Sequence, residues 1–396
     1  MLADRLKTLA PSATLAVQAK AKELRTRGID VISFGAGEPD FDTPERIKDA
    51  ALRAMQKGQT KYTEVPGIPE LRQAICTKLK RDNGLDYDPA DVLVSCGAKH
   101  TLFNLVVAVI NPGDEVIVPS PYWVSYPEQV RLVGGVPVSV ATDEATGFDL
   151  DVGRVRAAVT PRTKLIVLNS PNNPTGAVFS RERLQAVARI AVERDVLIVS
   201  DECYEPMTYD GRHFSIASIG ADVKSRTIVV NTCSKAYAMT GWRIGYAAGP
   251  RPLIKGMTDV QSQATSNPSS IAQWAAIEAL AGAQDDVAKM AGEFDRRRRL
   301  IVEGLNAIPG ISCVMPKGAF YAFPNVSGLF GRTTPGGTAL RGSTDVASFL
   351  LDHARVAVVP GLDFGSDAHV RLSYATSAEL IREGLSRMAS AVKNLA

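Results

Sequence analysis

Residues 226–246 read RTIVVNTCSKAYAMTGWRIGY, and this stretch decides the fold. A β-branched run ends on Asn231 and Thr232, a lysine follows at Lys235, and an arginine, Arg243, leads into a second run eight positions later. Upstream, VLIVSDECYE (196–205) has the same shape, with an apolar run that stops on Asp201, 34 positions before Lys235. DEVIVPS (114–120) and TKLIVLNS (163–170) are further runs of this kind, and amphipathic stretches such as SRERLQAVARIAVERD (180–195) separate them. Short apolar runs alternating with longer helical patterns define βαβ units, hence an α/β fold with a mostly parallel sheet and helices on both faces. Functional groups of such a sheet collect at the carboxyl ends of its strands. Tyr122, Trp123, Asn173, Asp201, Tyr204 and Lys235 each lie just past an apolar run and are expected to converge on one crevice.

Working outward, the texture changes near Met290. The charged helical pattern EFDRRRRLIVEGL (293–305) leads into short strands (ISCVMP, GAFYAFP), a Gly/Thr-rich stretch from Ser327 to Ser343, and then VAVVPG and HVRLSYAT. A smaller α+β domain is expected here, and the N-terminal segment should pack with it because α/β patterning begins only after PDFDTPE. The expected division is 46–290 for the large domain, and 1–45 with 291–396 for the small one. A chain of 396 residues exceeds what one hydrophobic core usually serves, which agrees with two domains.

Composition excludes several function classes. With 45 % hydrophobic and 22 % charged residues this is ordinary globular material, and a formal charge of +3 points to neither nucleic acid nor an anionic membrane. Five scattered cysteines without a CxxC pair suit a reducing cytosol. No signal peptide is read at the start, and the longest apolar run, LVVAVI (105–110), is far too short to span a bilayer, so a cytoplasmic protein is expected. The run Asp295 to Leu300 (DRRRRL) reads as a solvated helix face. The four histidines lack metal-ligand spacing, and no metal is expected.

A lysine, an aspartate and an arginine at successive strand ends are the groups needed to hold pyridoxal phosphate. Lys235 supplies an amine that condenses with the cofactor aldehyde and later moves the substrate α-proton, provided its pKa is lowered. The plain alternative is a surface lysine, for which a position between two apolar runs is a poor place. Asp201 would face the pyridine nitrogen and keep it protonated; a strand-end aspartate is otherwise a helix N-cap. Arg243 offers a bidentate fork to the phosphate. The amides of Gly97, Ala98 and Lys99 in SCGAKHTLFN open a helix whose N-terminus attracts anions, and the hydroxyls of Thr232 and Ser234 stand close by in sequence. Trp123, right after a strand end, is placed to stack on the pyridine ring, whereas Trp242 and Trp274 read as packing.

Six motifs occur in one order: GAGEPDFDTP (35–44), KYTEVPGIPELR (61–72), SPYWVSYP (120–127), NSPNNPTG (169–176), SDECYE (200–205) and SKAYAMTGWRIGY (234–246). Together they resemble the class I aminotransferases of pyridoxal phosphate fold type I, specifically the bacterial-type aspartate aminotransferases. The resemblance runs from about Pro11 to Ser377. It implies that the Tyr204 hydroxyl and the Asn173 amide bond the phenolic oxygen of the cofactor, although Asn-Pro-Thr-Gly is also turn-prone by composition. It implies that Arg371 in HVRLSYATS clamps the substrate α-carboxylate with help from the Gly37 backbone. Tyr62 resembles a tyrosine that reaches the phosphate bound by a partner subunit, which implies a homodimer with shared active sites. For the distal carboxylate of the substrate the candidates are Lys99, Ser12 and Thr14. Where much of this subgroup has a small residue such as glycine, this chain has Thr232, so which of the hydroxyls of Thr232 and Ser234 meets the phosphate stays open.

The activity implied is ping-pong transamination between aspartate and 2-oxoglutarate. Prephenate is an alternative amino acceptor, since Lys99 and Thr14 could bind its second carboxylate. Two rivals keep the fold but change the function. A regulator that binds pyridoxal phosphate would carry a winged-helix domain ahead of motifs that here begin at Pro11. An eliminating or decarboxylating enzyme would share the cofactor motifs but has less need of the dicarboxylate candidates.

Overall fold

The computed structural model describes residues 2–9 and 13–396. Strand β1 (Ile32–Ser33) lies outside the main sheet. The main sheet has seven strands: β2 (Val92–Ser95), β3 (Glu115–Ser120), β4 (Val136–Ala141), β5 (Thr163–Asn169), β6 (Leu197–Asp201), β7 (Thr227–Thr232) and β8 (Gly245–Ala248). Their order is β2-β8-β7-β6-β5-β3-β4. All neighbours run parallel except β8, which is antiparallel to both β2 and β7.

The central strands β5, β6 and β7 are covered on both faces, which is why they read as near-continuous Val, Ile and Leu runs rather than alternating ones. On one face Leu165, Val167, Val199, Ile228 and Val230 pack against the helix Ala98–Val109 and its neighbours. On the other, Ile166, Leu168 and Ile198 pack against the helix Arg181–Glu193. Register fixes which strand ends share a level, with Asn169 opposite Asp201 and Asp201 opposite Val230.

The remaining strands are β9 (Tyr321–Ala322), β10 (Val356–Ala357), β11 (Val359–Pro360) and β12 (Val370–Ser373). They form a three-stranded sheet, β11-β12-β9, and a parallel pair of β1 with β10. The helices Asp285–Asn306, Ser343–Ala354 and Ala378–Lys393 cover them, and one continuous core joins Ile32, Phe34, Phe294, Phe320, Leu372 and Met388. Near the N-terminus, Asp4–Thr8 instead lies against the helix Ser125–Leu132.

The DRRRRL run departs from the expected solvated face. Arg297 and Arg298 are buried, with Arg297 paired to Asp40 and Glu293 at 2.7 Å each, and Arg298 to Asp210 at 2.6 Å and Asp295 at 2.7 Å. Helical spacing explains the difference, because positions 294, 297, 298 and 301 fall on one face and Phe294 and Ile301 turn that face to the core. Among the described residues no helix is long and apolar enough to cross a membrane, and all five cysteines are free, with Cys96 the least buried.

Candidate active site

A cavity of about 350 Å³ opens at the carboxyl ends of β5, β6 and β7. Its wall brings together Asp201, Tyr204, Lys235, Asn173, Trp123 and Arg371 with Gly37, Ala98, Lys99, Thr232, Ser234 and Arg243. Elements far apart in sequence meet here because parallel β-strands all point the same ends at one edge of the sheet.

Asp201 closes β6 and is buried. Its Oδ2 accepts from the Tyr126 hydroxyl at 2.7 Å and its Oδ1 from the Cys203 N–H at 3.2 Å. Burial raises its pKa, and hydrogen bonds from the Cys203 thiol, the Tyr126 hydroxyl and the Cys203 N–H pull it back. Asp201 caps no helix and forms no ion pair with a described residue, so a protonated ligand nitrogen would relieve its desolvation.

Lys235 stands on the short helix Cys233–Ala236 that follows β7. Its Nζ donates to the Gly37 carbonyl at 2.5 Å. Burial depresses its pKa to about 8, with Arg371 and Arg243 pushing the same way and Cys203 and Glu38 opposing. An amine so tuned is available as a nucleophile and base near neutral pH.

An anion corner lies beside it. The helix Ala98–Val109 starts at Gly97, whose φ of 88° is left-handed and whose added Cβ would lie 2.3 Å from Arg243 Nη2. Only glycine therefore lets the Arg243 fork approach the helix N-terminus. Arg243 has φ 57°, an outlier for a non-glycine residue, and its Nη1 donates to the Thr240 carbonyl at 2.8 Å. The Thr232 hydroxyl lies 2.7 Å from the Ile244 carbonyl and accepts the Ser234 N–H at 3.1 Å, so it is engaged in holding the turn. That leaves Ser234 Oγ, 2.9 Å from Thr232 Oγ1, as the hydroxyl better placed to serve an anion.

Arg371, on β12, is 2 % exposed. Its Nη1 donates to Asn173 Oδ1 and its Nη2 to the Gly35 carbonyl, each at 3.0 Å, while Nε has no partner. The guanidinium lies over the Tyr321 and Phe364 rings at 4.6 and 5.0 Å. Because Asn173 spends its oxygen on Arg371, its NH₂ is the group left to donate. The Lys99 Nζ sits 5.0 Å from the centre of the Trp123 ring, and the Tyr126 ring meets that tryptophan edge-on at 5.3 Å.

The residues present fit pyridoxal phosphate. An unpaired buried carboxylate, a depressed lysine, an arginine at a glycine-opened helix N-terminus and an orphaned arginine Nε match a cationic ring nitrogen, an aldehyde, a phosphate and a substrate carboxylate in turn.

Some expected residues are not brought to the cavity. Tyr62, expected to reach the phosphate bound by a partner subunit and not this cavity, is 93 % exposed. Tyr122 packs its ring beside Gly365 instead, 3.0 Å from where a Cβ there would be, because its backbone N–H is drawn to the Phe364 carbonyl. Ser12 and the side chain of Thr14 lie outside the described residues. Conversely, Tyr126 and Tyr321 line the cavity although the sequence reading gave them no role. Tyr126 lies three residues past Trp123 in SPYWVSYP, in the first turn of the helix Ser125–Leu132, and its backbone N–H donates to the Trp123 carbonyl at 3.1 Å. Tyr321 sat in GAFYAFP, which read only as a strand; its hydroxyl lies 2.9 Å from that of Tyr204.

Fold and site together define an α/β enzyme with a cavity at the strand ends whose residues fit pyridoxal phosphate. The family model for aminotransferase class I and II matches residues 29–388. The chain is 51 % identical over 394 residues to an aspartate aminotransferase of Bacillus sp. (strain YM-2), covering 99 % of both chains. It is 52 % identical to an aspartate/prephenate aminotransferase of Cereibacter sphaeroides, across 98 % of this chain and 97 % of the other. The solved structure of aspartate aminotransferase from Thermus thermophilus with maleate is similar, with a TM-score of 0.93, 51 % identity and 99 % coverage of both chains. The chain belongs to the family of class I and II aminotransferases, enzymes that use pyridoxal phosphate.

Proposed function

We propose that the protein catalyses ping-pong transamination between L-aspartate and 2-oxoglutarate, giving oxaloacetate and L-glutamate, with pyridoxal phosphate held in the Lys235 cavity. Bound there, the cofactor supplies an aldehyde that takes up the amino group and a ring that takes up the electron pair left at Cα. Arg371 binds the substrate α-carboxylate through its free guanidinium edge and so orients the Cα–H bond. Lys235 Nζ, uncharged above about pH 8, would accept the Cα proton and return it to the carbon that was the cofactor's aldehyde carbon. Asp201 holds the ring nitrogen protonated, with Tyr126 and Cys203 keeping the carboxylate in place. Arg243, Ser234 and the Ala98 and Lys99 amides hold the phosphate, Tyr204 and Asn173 bond the phenolic oxygen, and Trp123 covers the ring. Lys99 takes the distal carboxylate.

The observation that carries this reading is the orphaned Nε of a buried arginine in the same cavity as a depressed lysine. Acceptance of prephenate is a second reading, favoured by the name of the Cereibacter sphaeroides relative and by the position of Lys99 on the cavity wall. We also propose a homodimer in which the exposed Tyr62 of one protomer completes the phosphate site of its partner, and a division into bodies 46–290 and 1–45 with 291–396, from which Asp4–Thr8 departs to lie against the larger body. Single-turnover absorbance tests the activity: the yellow holoenzyme is mixed with aspartate, glutamate, phenylalanine or alanine, then with 2-oxoglutarate or prephenate. Fast bleaching by aspartate and glutamate with recovery on 2-oxoglutarate supports the proposal, and recovery on prephenate adds the second acceptor. A band that no amino acid bleaches refutes transamination.

A further inference from the structure

Behind the wall that carries Lys235 lies a second cavity, of about 290 Å³, lined in part by Lys78, Glu205, Asn231, Thr232 and Ala236. Thr232 borders both cavities. Close packing is interrupted on either side of it, so its position depends on its bonds more than on neighbours pressed against it.

Those bonds form a chain. Asn231 Oδ1 accepts the Thr232 N–H at 2.7 Å, and Asn231 Nδ2 donates to Glu205 Oε1 at 2.9 Å. The Lys78 ammonium also donates to Glu205 Oε1, and the Asn83 amide donates to Oε2 at 2.6 Å. Lys78 is 4 % exposed and projects from the helix Pro69–Asn83. At the other end, Thr232 Oγ1 accepts the Ser234 N–H and so caps the four-residue helix on which Lys235 stands.

Glu202, Glu205 and His213 bring ligand atoms within 4.8 Å of one another, an arrangement open to a cation. The chain supplies that cation itself. Lys78 occupies one Glu205 oxygen, and Glu202 Oε1 already accepts from the Ser200 and Ser215 hydroxyls at 2.8 and 2.6 Å. A buried carboxylate pair, one member held by an ammonium and the other by hydroxyls, is a fixed strut rather than an ion site.

We infer that Lys78, Glu205 and Asn231 form a positioning chain that fixes the Thr232–Lys235 turn and so sets the presentation of Ser234 and Lys235 to the cofactor. None of the three touches the substrate region, so their effect runs through the turn. The inference rests on the assignment of Lys235 as the residue that takes the cofactor aldehyde, and the wild-type cofactor band, recorded first, tests that assignment separately.

The experiment compares Asn231→Ala with Ser215→Ala, which removes a bond from the neighbouring Glu202 and leaves every direct bond of Lys78, Glu205 and Asn231 in place. Three quantities are read: the dissociation constant for pyridoxal phosphate added to apoprotein, the split of kcat against KM for aspartate, and Tm. Expected for Asn231→Ala is a tenfold or greater rise in the cofactor dissociation constant and a fall in kcat, with KM for aspartate within twofold. Ser215→Ala should leave the first two unchanged even where it lowers Tm. A dissociation constant within twofold of wild type for Asn231→Ala, or an equal rise for Ser215→Ala, overturns the inference. Should Asn231→Ala fail to fold, Asn231→Leu keeps the side-chain volume but has neither the acceptor for Thr232 nor the donor to Glu205; a rise of threefold or more supports the chain, and no rise overturns it.

Discussion

Replacing Arg371 by lysine tests the substrate clamp while keeping the charge. A guanidinium has five N–H donors, of which one goes to Asn173 Oδ1 and one to the Gly35 carbonyl. Three remain, Nε–H among them, enough for a two-bond fork on a carboxylate. A lysine concentrates its donors on one atom and cannot hold Asn173, Gly35 and both carboxylate oxygens together. The loss is one charge-assisted hydrogen bond plus a poorly satisfied buried acceptor, together about 3 kcal/mol. At 1.36 kcal/mol per decade this lowers kcat/KM roughly 150-fold. Steady-state kinetics with aspartate and with glutamate measures it, alongside the cofactor dissociation constant, which should stay within twofold because Arg371 is assigned to the substrate. A fall in kcat/KM of less than about fivefold would refute the fork. A parallel loss of cofactor affinity would move Arg371 from the substrate to the cofactor.

Lys99→Ala should lower kcat/KM for aspartate roughly tenfold relative to that for alanine, since a half-buried charge pair to the distal carboxylate contributes on the order of 1 kcal/mol or more; an unchanged aspartate-to-alanine ratio removes Lys99 from the specificity site. Asp201→Asn should cut kcat roughly 100-fold or more while cofactor binding weakens less, because the charge matters most when electrons arrive on the ring; single-turnover rates equal to wild type would contradict the role. Capture of pyridoxal phosphate by apoprotein should quicken with pH and level off above about 8, the value to which burial depresses Lys235; stopped-flow rates still climbing at pH 10 would show an undepressed lysine. The sign for stability follows from the same depression. The unfolded chain holds the proton up to its normal lysine pKa while the folded one has released it, so the apoprotein should gain stability as pH rises from about 8 towards 10.5, read as Tm against pH.

Much of this site was legible because strand ends are legible. Asp201, Lys235 and Asn173 each follow an apolar run, and in a parallel sheet such positions share an edge whatever the intervening helices do. What escaped the sequence were contacts set by tertiary geometry at short range. Tyr122 and Trp123 are adjacent, and nothing in SPYW says that the chain turns between them so that only the tryptophan meets the cavity. Tyr321 is on a two-residue strand, too short for alternation to reveal its face. Arg297 and Arg298 escape for another reason, since the charge density of DRRRRL hides the helical period that places both beside Phe294 and Ile301.

The end of β6 shows how one stretch serves two purposes that composition cannot separate. Asp201 and Glu202 are neighbouring acids, both buried, and an extended backbone sends them to opposite sides. Asp201 lines the cavity and is left without a cation, whereas Glu202 turns towards Ser200, Ser215 and His213 and is fully engaged. A charge meant for a ligand must stay unpaired, and a charge meant to hold the scaffold must not. The unpaired carboxylate is costly, and the bonds from the Tyr126 hydroxyl and the Cys203 N–H hold it in place. The same division recurs at Arg371, which gives two donors to the protein and keeps the rest, and at Thr232 and Ser234, where one hydroxyl holds the turn and the other remains for an anion.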